Sequence, residues 1–296
     1  MKPTFLVLAD VSPGAHRAAH FAGLLAAAVG AQVVLLHLAT EPVLEPELGV
    51  VIHPGEDFEP TPDSNAAMAA LASLLPVPTT VEKAVGSLHD VLTDMMLRWQ
   101  PHLLVLGLAA EHDVLDALLL NQAVPALRDT GLPLLLVPAG AAQNPGLPQL
   151  VAIAADDEGF QLSAASQVLR PLLDSWPATY CVVHVVPPNG DDAPGDSSLG
   201  RAEAAVRRSG LVPAAGLCTT YLVRNEPRSQ GIVQAALDVQ AEMLVLLARP
   251  RSFLSSMFGW GVAAQVARIS LVPLLLLTTQ SRLATQPKTD AADGLY

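Results

Sequence analysis

Residues 132–138 read LPLLLVP, and residues 272–278 read VPLLLLT. Each is a short apolar run entered through a proline, the pattern of a strand buried on both faces. The two lie 140 positions apart, and the offset holds upstream, where PHLLVLG (101–107) matches AEMLVLL (241–247). Before those runs, Leu92, Met95, Met96 and Trp99 keep the spacing of one helix face. Ile232, Ala235, Ala236 and Val239 stand at the same offset. Nearer the start, TFLVLAD ends at Asp10 and LVAIAAD at Asp156. VVLLHL (33–38) and CVVHVV (181–186) each carry a histidine near their end, now at an offset of 146 or 147. Self-similarity on this scale means one folding unit present twice, with copies of unequal length.

Each copy reads β-α-β, a loop with a helix, then β-α-β-α-β. Strands are expected at about 4–9, 32–38, 79–85, 102–108 and 133–138, then at 150–155, 179–186, 217–223, 243–248 and 273–278. Ser12-Pro13 opens the first helix with a capping side chain and a proline that needs no N–H donor. Ser87 and the segment SNAAMAALASLL (64–75) mark two more. All-apolar strands alternating with helices imply a parallel sheet covered on both faces. The expected fold is α/β, with two tandem five-stranded parallel-sheet domains at 1–140 and 149–280, joined by AGAAQNPGLP (139–148), and a disordered polar tail at 281–296. The leucine-rich last strands (133–137, from Pro133 to Val137, and 273–277, from Pro273 to Leu277) are the expected surfaces of self-association, within the chain as a pseudo-dimer or between chains. Twin units imply twin sheets, and one continuous sheet would count against the duplication.

Of 296 residues 51% are hydrophobic and only 15% charged, which suits a filled core and excludes general disorder. Lys plus Arg number 16 against 28 Asp plus Glu, a net charge of −12 that disfavours a phosphate backbone as partner. The stretch AAHFAGLLAAAVGAQVVLLHLA nearly has the length of a membrane span. His20, Gln32 and His37 interrupt it, and GAQ reads as a helix stop, so helix plus strand is expected. MKPTFLVLAD lacks the form of a signal peptide, and the two cysteines, Cys181 and Cys218, sit in strand-like runs as reduced thiols. Together these place the protein in the cytoplasm, with neither nucleic acid nor membrane as partner.

An Asp closing the first strand, a His followed by an apolar residue closing the second, and a proline-entered last strand resemble the universal stress protein family, over about 1–138 and 149–279. The resemblance implies strand order 3-2-1-4-5, cytoplasmic location and dimerisation through the last strand. It also implies a division into members that bind ATP and members that do not. Binders carry a glycine after strand four, another three positions on, and Gly-Ser or Gly-Thr nine or ten residues later. Glycines admit backbone N–H groups to phosphate, and the hydroxyl residue stands at a helix N-terminus.

Copy one departs from that pattern: Gly107 is present, but Ala110 stands at the second glycine, and Leu120 and Asn121 at Gly-Ser. Glu111, Asp113 and Asp116 intervene; each would repel a phosphate charge 5 Å away by about 3 kcal/mol at an effective dielectric near 20. Copy two has Leu247 and Pro250 for the glycines, but adds Arg249, Arg251 and Ser252, with Gly259 and Gly261 beside the next helix. Two guanidiniums facing a glycine-rich helix start could hold an anion, or could be solvated while Phe253, Leu254, Met257 and Phe258 pack. GWGVAA matches a dinucleotide fingerprint but does not follow a first strand. Asp10 and Asp156 stand where the family touches adenosine, with Leu38 and Val185 at the second strand ends. Without a cradle, the aspartates read as turn or helix caps. His37 and His184 read as backbone-bonded. His16 and His20 have metal-pair spacing but no third ligand.

No P-loop, HExxH, GxSxG or CxxC signature occurs, so no catalytic residue is assigned. The reading is a non-catalytic stress-response binding or scaffolding protein with a degenerate nucleotide pocket that requires no cofactor. The alternative is a module for ATP or another phosphorylated small molecule, held mainly in copy two.

Overall fold

The computed structural model of the protein describes residues 2–39, 43–45, 50–52, 62–86, 88–108, 131–142, 145–188, 198–248 and 260–280. Copy one contributes β1 (Thr4–Leu8), α1 (Pro13–Ala28), β2 (Gln32–Ala39), a hairpin of β3 (Val43–Glu45) and β4 (Val50–Ile52), and α2 (Pro62–Leu74). It continues with β5 (Thr79–Val85), α3 (Leu88–Trp99), β6 (Leu103–Gly107) and β7 (Leu134–Val137). Copy two contributes β8 (Leu150–Ala154), α4 (Ala164–Gln167), α5 (Arg170–Asp174), β9 (Thr179–Val186) and α6 (Ser198–Ser209). It ends with β10 (Cys218–Arg224), α7 (Arg228–Asp238), β11 (Met243–Ala248), α8 (Trp260–Ile269) and β12 (Leu274–Thr278).

Strands run in the order β10-β9-β8-β11-β12-β7-β6-β1-β2-β5. Within each copy that is 3-2-1-4-5, and every pair within a copy's sheet is parallel. The one antiparallel pair in this sheet joins the copies, with Leu274 opposite Leu136, Leu275 opposite Leu135 and Leu276 opposite Leu134. The expectation of separate sheets is thereby corrected. A last strand left at an edge exposes unpaired N–H and C=O groups, and the nearest complementary edge belongs to the other copy. The duplication survives, because each half keeps its own complete strand order.

Side chains alternate between two helical layers. Phe5, Val7, Val105, Leu135, Val245 and Leu275 pack with α1, α2, α5 and α6, whereas Leu6, Leu104, Leu136, Leu244 and Leu276 pack with α3, α7 and α8. Both cores run unbroken through the joint. A hydroxyl cluster stands beside it: Thr278 Oγ1 donates to the Gly131 carbonyl at 2.7 Å and lies 2.6 Å from Ser163 Oγ and 3.1 Å from Ser166 Oγ. The membrane-length stretch is α1 followed by β2, and among the described residues no helix is long and apolar enough to cross a membrane.

Helix ends also repeat. α3 and α7 are followed by Gln100 and Gln240, 140 residues apart, each in the left-handed region at φ 45° and 57°. The first helices do not repeat. α1 has 16 residues, whereas its counterpart is split into α4 and α5. Pro171 is the cause, since a proline there would drive its ring into the carbonyl of Gln167, where α4 stops. Between β2 and α2 the chain adds the antiparallel β3–β4 hairpin, which has no counterpart in copy two among the described residues. The tail at 281–296 lies outside the described residues.

Leu135 and Leu275 are fully enclosed cross-strand partners. Leu275→Ala should lower unfolding free energy by roughly 2–5 kcal/mol. In urea titrations its effect should couple to that of Leu135→Ala by roughly 0.5 kcal/mol or more. Strict additivity would mean that the two side chains do not meet.

Candidate functional site

The carboxyl ends of parallel strands are where open α/β sheets take ligands, and both copies build this edge in the same way. Beyond β1, the Ala9 amide donates to the Leu36 carbonyl, and beyond β8 the Ala155 amide donates to that of Val183. His37 Nδ1 lies 3.2 Å from the Ala9 carbonyl and His184 Nδ1 2.9 Å from that of Ala155. A carbonyl only accepts, so each Nδ1 carries the proton. Both rings are buried, and they pin the strand end that presents the next residue, Asp10 or Asp156. His37 Nε2, an acceptor in the neutral ring, is enclosed and meets no donor among the described residues.

The two aspartates serve the local backbone. Asp10 Oδ1 accepts from the Ser12 amide at 2.8 Å, and Ser12 Oγ accepts from the Ala15 amide at 3.1 Å, capping α1. Asp156, 4% exposed, accepts from the Glu158 amide at 3.1 Å. Both are i to i+2 Asx turns. Leu38 and Val185 are buried at the second strand ends, and a Cβ on Gly231 of α7 would press against Val185.

Gly107 closes β6, and a Cβ there would overlap the carbonyl of Gly14 in the first turn of α1. Its glycine is therefore required by the approach of helix to strand. The counterpart, Leu247, is buried in the core layer on the α4–α5 side. Copy two accommodates that side chain with a later helix: the cap is Ser163, seven residues after Asp156, whereas Ser12 follows Asp10 by two. Residues 161–163 run beside the end of β12, where the Ser163 amide donates to the Thr278 carbonyl and the Gln280 amide to that of Gln161. The role of Gly14 was not legible in advance. A proline–glycine pair opening α1 is its only trace in the sequence.

Gly261 is the second residue of α8. Ala110, Asn121, Arg249, Arg251, Ser252 and Gly259 lie outside the described residues, as do Glu111, Asp113 and Asp116. Among the described residues no group of three or more His, Cys, Asp or Glu gathers as a metal site. Both cysteines are free, and burial raises both thiols above their ordinary pKa. Cys181 belongs to one core layer and Cys218 packs against the other, so the sheet separates them.

In copy two, Arg201 Nη2 on α6 lies 2.6 Å from Asp157 Oδ2. That hydrogen bond holds the Asp157 carboxyl below its ordinary value, against the opposing effect of partial burial.

The model of the universal stress protein family matches residues 1–138 and again 149–278. A universal stress protein from Archaeoglobus fulgidus DSM 4304 is 14% identical at TM-score 0.62, covering 94% of this chain and 97% of its own. A putative universal stress protein from Pseudomonas aeruginosa UCBPP-PA14 is 16% identical at TM-score 0.59, covering 94% of each chain. The cytoplasmic domain of a prokaryotic cation chloride cotransporter is 12% identical at TM-score 0.54, covering 94% of this chain and 95% of its own. No curated protein sequence matches the chain.

Two outcomes follow from this geometry. Gly107→Ala should destabilise the fold by roughly 1–3 kcal/mol through overpacking, read in denaturant unfolding, and a neutral result would contradict the Gly107–Gly14 contact. For Asp157, a folded pKa below the unfolded one means that the pair stabilises above the unfolded value. The contribution is lost as pH falls through the folded value. Arg201→Ala should move the Asp157 midpoint, read by carboxyl 13C NMR, up into the ordinary carboxylate range; an unmoved midpoint would remove Arg201 as the cause.

Proposed function

We propose that this chain, which belongs to the universal stress protein family, is a non-catalytic stress-response binding or scaffolding protein of the cytoplasm. Its two strand-edge clefts do not grip a triphosphate, and it requires no cofactor. The observation that carries this reading is Leu247, whose buried side chain stands at the position of Gly107 while the first helix of copy two starts five residues later. A cradle needs backbone N–H groups brought close to phosphate after strand four, and a leucine in place of the glycine does not allow that approach. In copy one, Gly107 is occupied by packing against Gly14, and Asp10 by its turn. The two domains, 1–140 and 149–280, act as an intramolecular pseudo-dimer. Their last strands are paired with each other, which leaves other surfaces for partners.

One feature favours a second reading, in which ATP or another phosphorylated small molecule binds copy two. α8 begins at Trp260, directly after Gly259 and with Gly261 in its first turn. A helix N-terminus offers free N–H donors to an anion, and Arg249, Arg251 and Ser252 precede it in sequence.

Calorimetry with ATP and Mg on the full chain discriminates between the readings. The scaffold predicts no saturable heat and no change in Tm at millimolar nucleotide. Saturable binding abolished by Arg249→Ala or Arg251→Ala would replace it with the second reading, and phosphate release lost with Asp156→Asn would make the protein an ATP-hydrolysing enzyme instead.

A further inference from the structure

The outer face of α1 carries a feature that the strand-edge cleft does not use. Residues 13, 16, 17, 20 and 24 fall on one stripe of the helix, opposite the alanines that enter the core. With the turn after α2 and the interdomain linker they line a groove of about 650 Å³, within the range of small-molecule sites. Its polar groups are His16, Arg17 and His20, and its walls include Leu24, Pro76 and Pro145. Among the described residues no carboxylate lines it, in a chain whose acidic residues outnumber the basic ones 28 to 16.

These polar groups are under-used. The only hydrogen bond of Arg17 among the described residues is a long one, from Nη2 to the Leu108 carbonyl at 3.4 Å, and its Nε has no acceptor. Nε and Nη2 form the side-on fork that grips two oxygens of a carboxylate or phosphate. Turning this fork onto an anion would exchange one long bond and one unmet donor for two charge-assisted bonds. His16 and His20 flank Arg17 on the same stripe and supply two further N–H donors, while the leucine and prolines suit an apolar body.

We propose that this groove is a binding site for a small organic anion, an apolar body with a carboxylate or phosphate-ester head. Arg17 holds the head, and His16 and His20 flank it. The site lies on the outer face of α1, beside the strand edge of copy one, and does not depend on whether that edge takes a nucleotide.

The test titrates the full chain with phenyl phosphate and with benzoate by calorimetry, using phenol as the uncharged control. Saturable binding of at least one anion, with phenol at least about tenfold weaker, is the expected result. Arg17→Met should weaken the anion about tenfold or more, the scale of one lost charge-assisted hydrogen bond. The double variant His16→Gln, His20→Gln, on a partly exposed helix face, should weaken it severalfold while melting as the parent does. Absence of saturable binding by both anions, equal binding of phenol, or undiminished binding by both groove variants would overturn the proposal. The preferred anion identifies the head group.

Discussion

The backbone of an unfinished sheet edge is the constraint on which this molecule depends. Each copy of the duplicated unit ends its sheet at a proline-entered leucine strand whose N–H and C=O groups would otherwise face outward. Burying leucines beside unpaired amides is costly, because a buried donor or acceptor without a partner loses its hydration for nothing. Pairing β7 with β12 satisfies both edges and lets two hydrophobic layers run on across the chain. The remaining edges, β5 and β10, are half-buried to exposed along their length and carry Glu82, Lys83 and Arg224, the charged side chains that discourage further pairing.

With the joint fixed, the copies could diverge at their other ends. Copy one keeps a long first helix pressed onto β6 through a glycine-to-glycine contact. In copy two a leucine takes that space, the helix retreats and breaks at Pro171, and the freed segment lies along β12 with Ser163 and Ser166 bonded to Thr278. The later start of the first helix in copy two is thus coupled to a gain at the joint. The hydroxyl cluster that reaches Gly131 of copy one exists because the segment was released.

Much of this was legible in the sequence, for identifiable reasons. Buried parallel strands are continuous apolar runs bounded by Pro, Gly and Asp, so β1, β6 and β11 could be placed within a residue or two. The helix face of α3 repeats in α7. The Asx turns at Asp10 and Asp156 followed from an acid placed directly after a strand. That the last strands would meet was legible from their unpaired edges, but that the meeting makes one continuous sheet was not, because periodicity describes each copy by itself. The split of α4 from α5 depended on the carbonyl that Pro171 would strike. The reason for Gly107 lay in a residue 93 positions away, Gly14. Arg17 carries no signal in the sequence, because only the fold brings the linker and the turn after α2 beside it.

Amide hydrogen exchange tests the central claim most directly. If the last strands are joined at the middle of one sheet, the amides of 134–136 and 274–276 should exchange only through global unfolding. Those of the edge strands β5 and β10 should exchange earlier through local opening. Exchange at 134–136 and 274–276 as fast as at the edges would mean that the two copies are not joined there, and the account would fail.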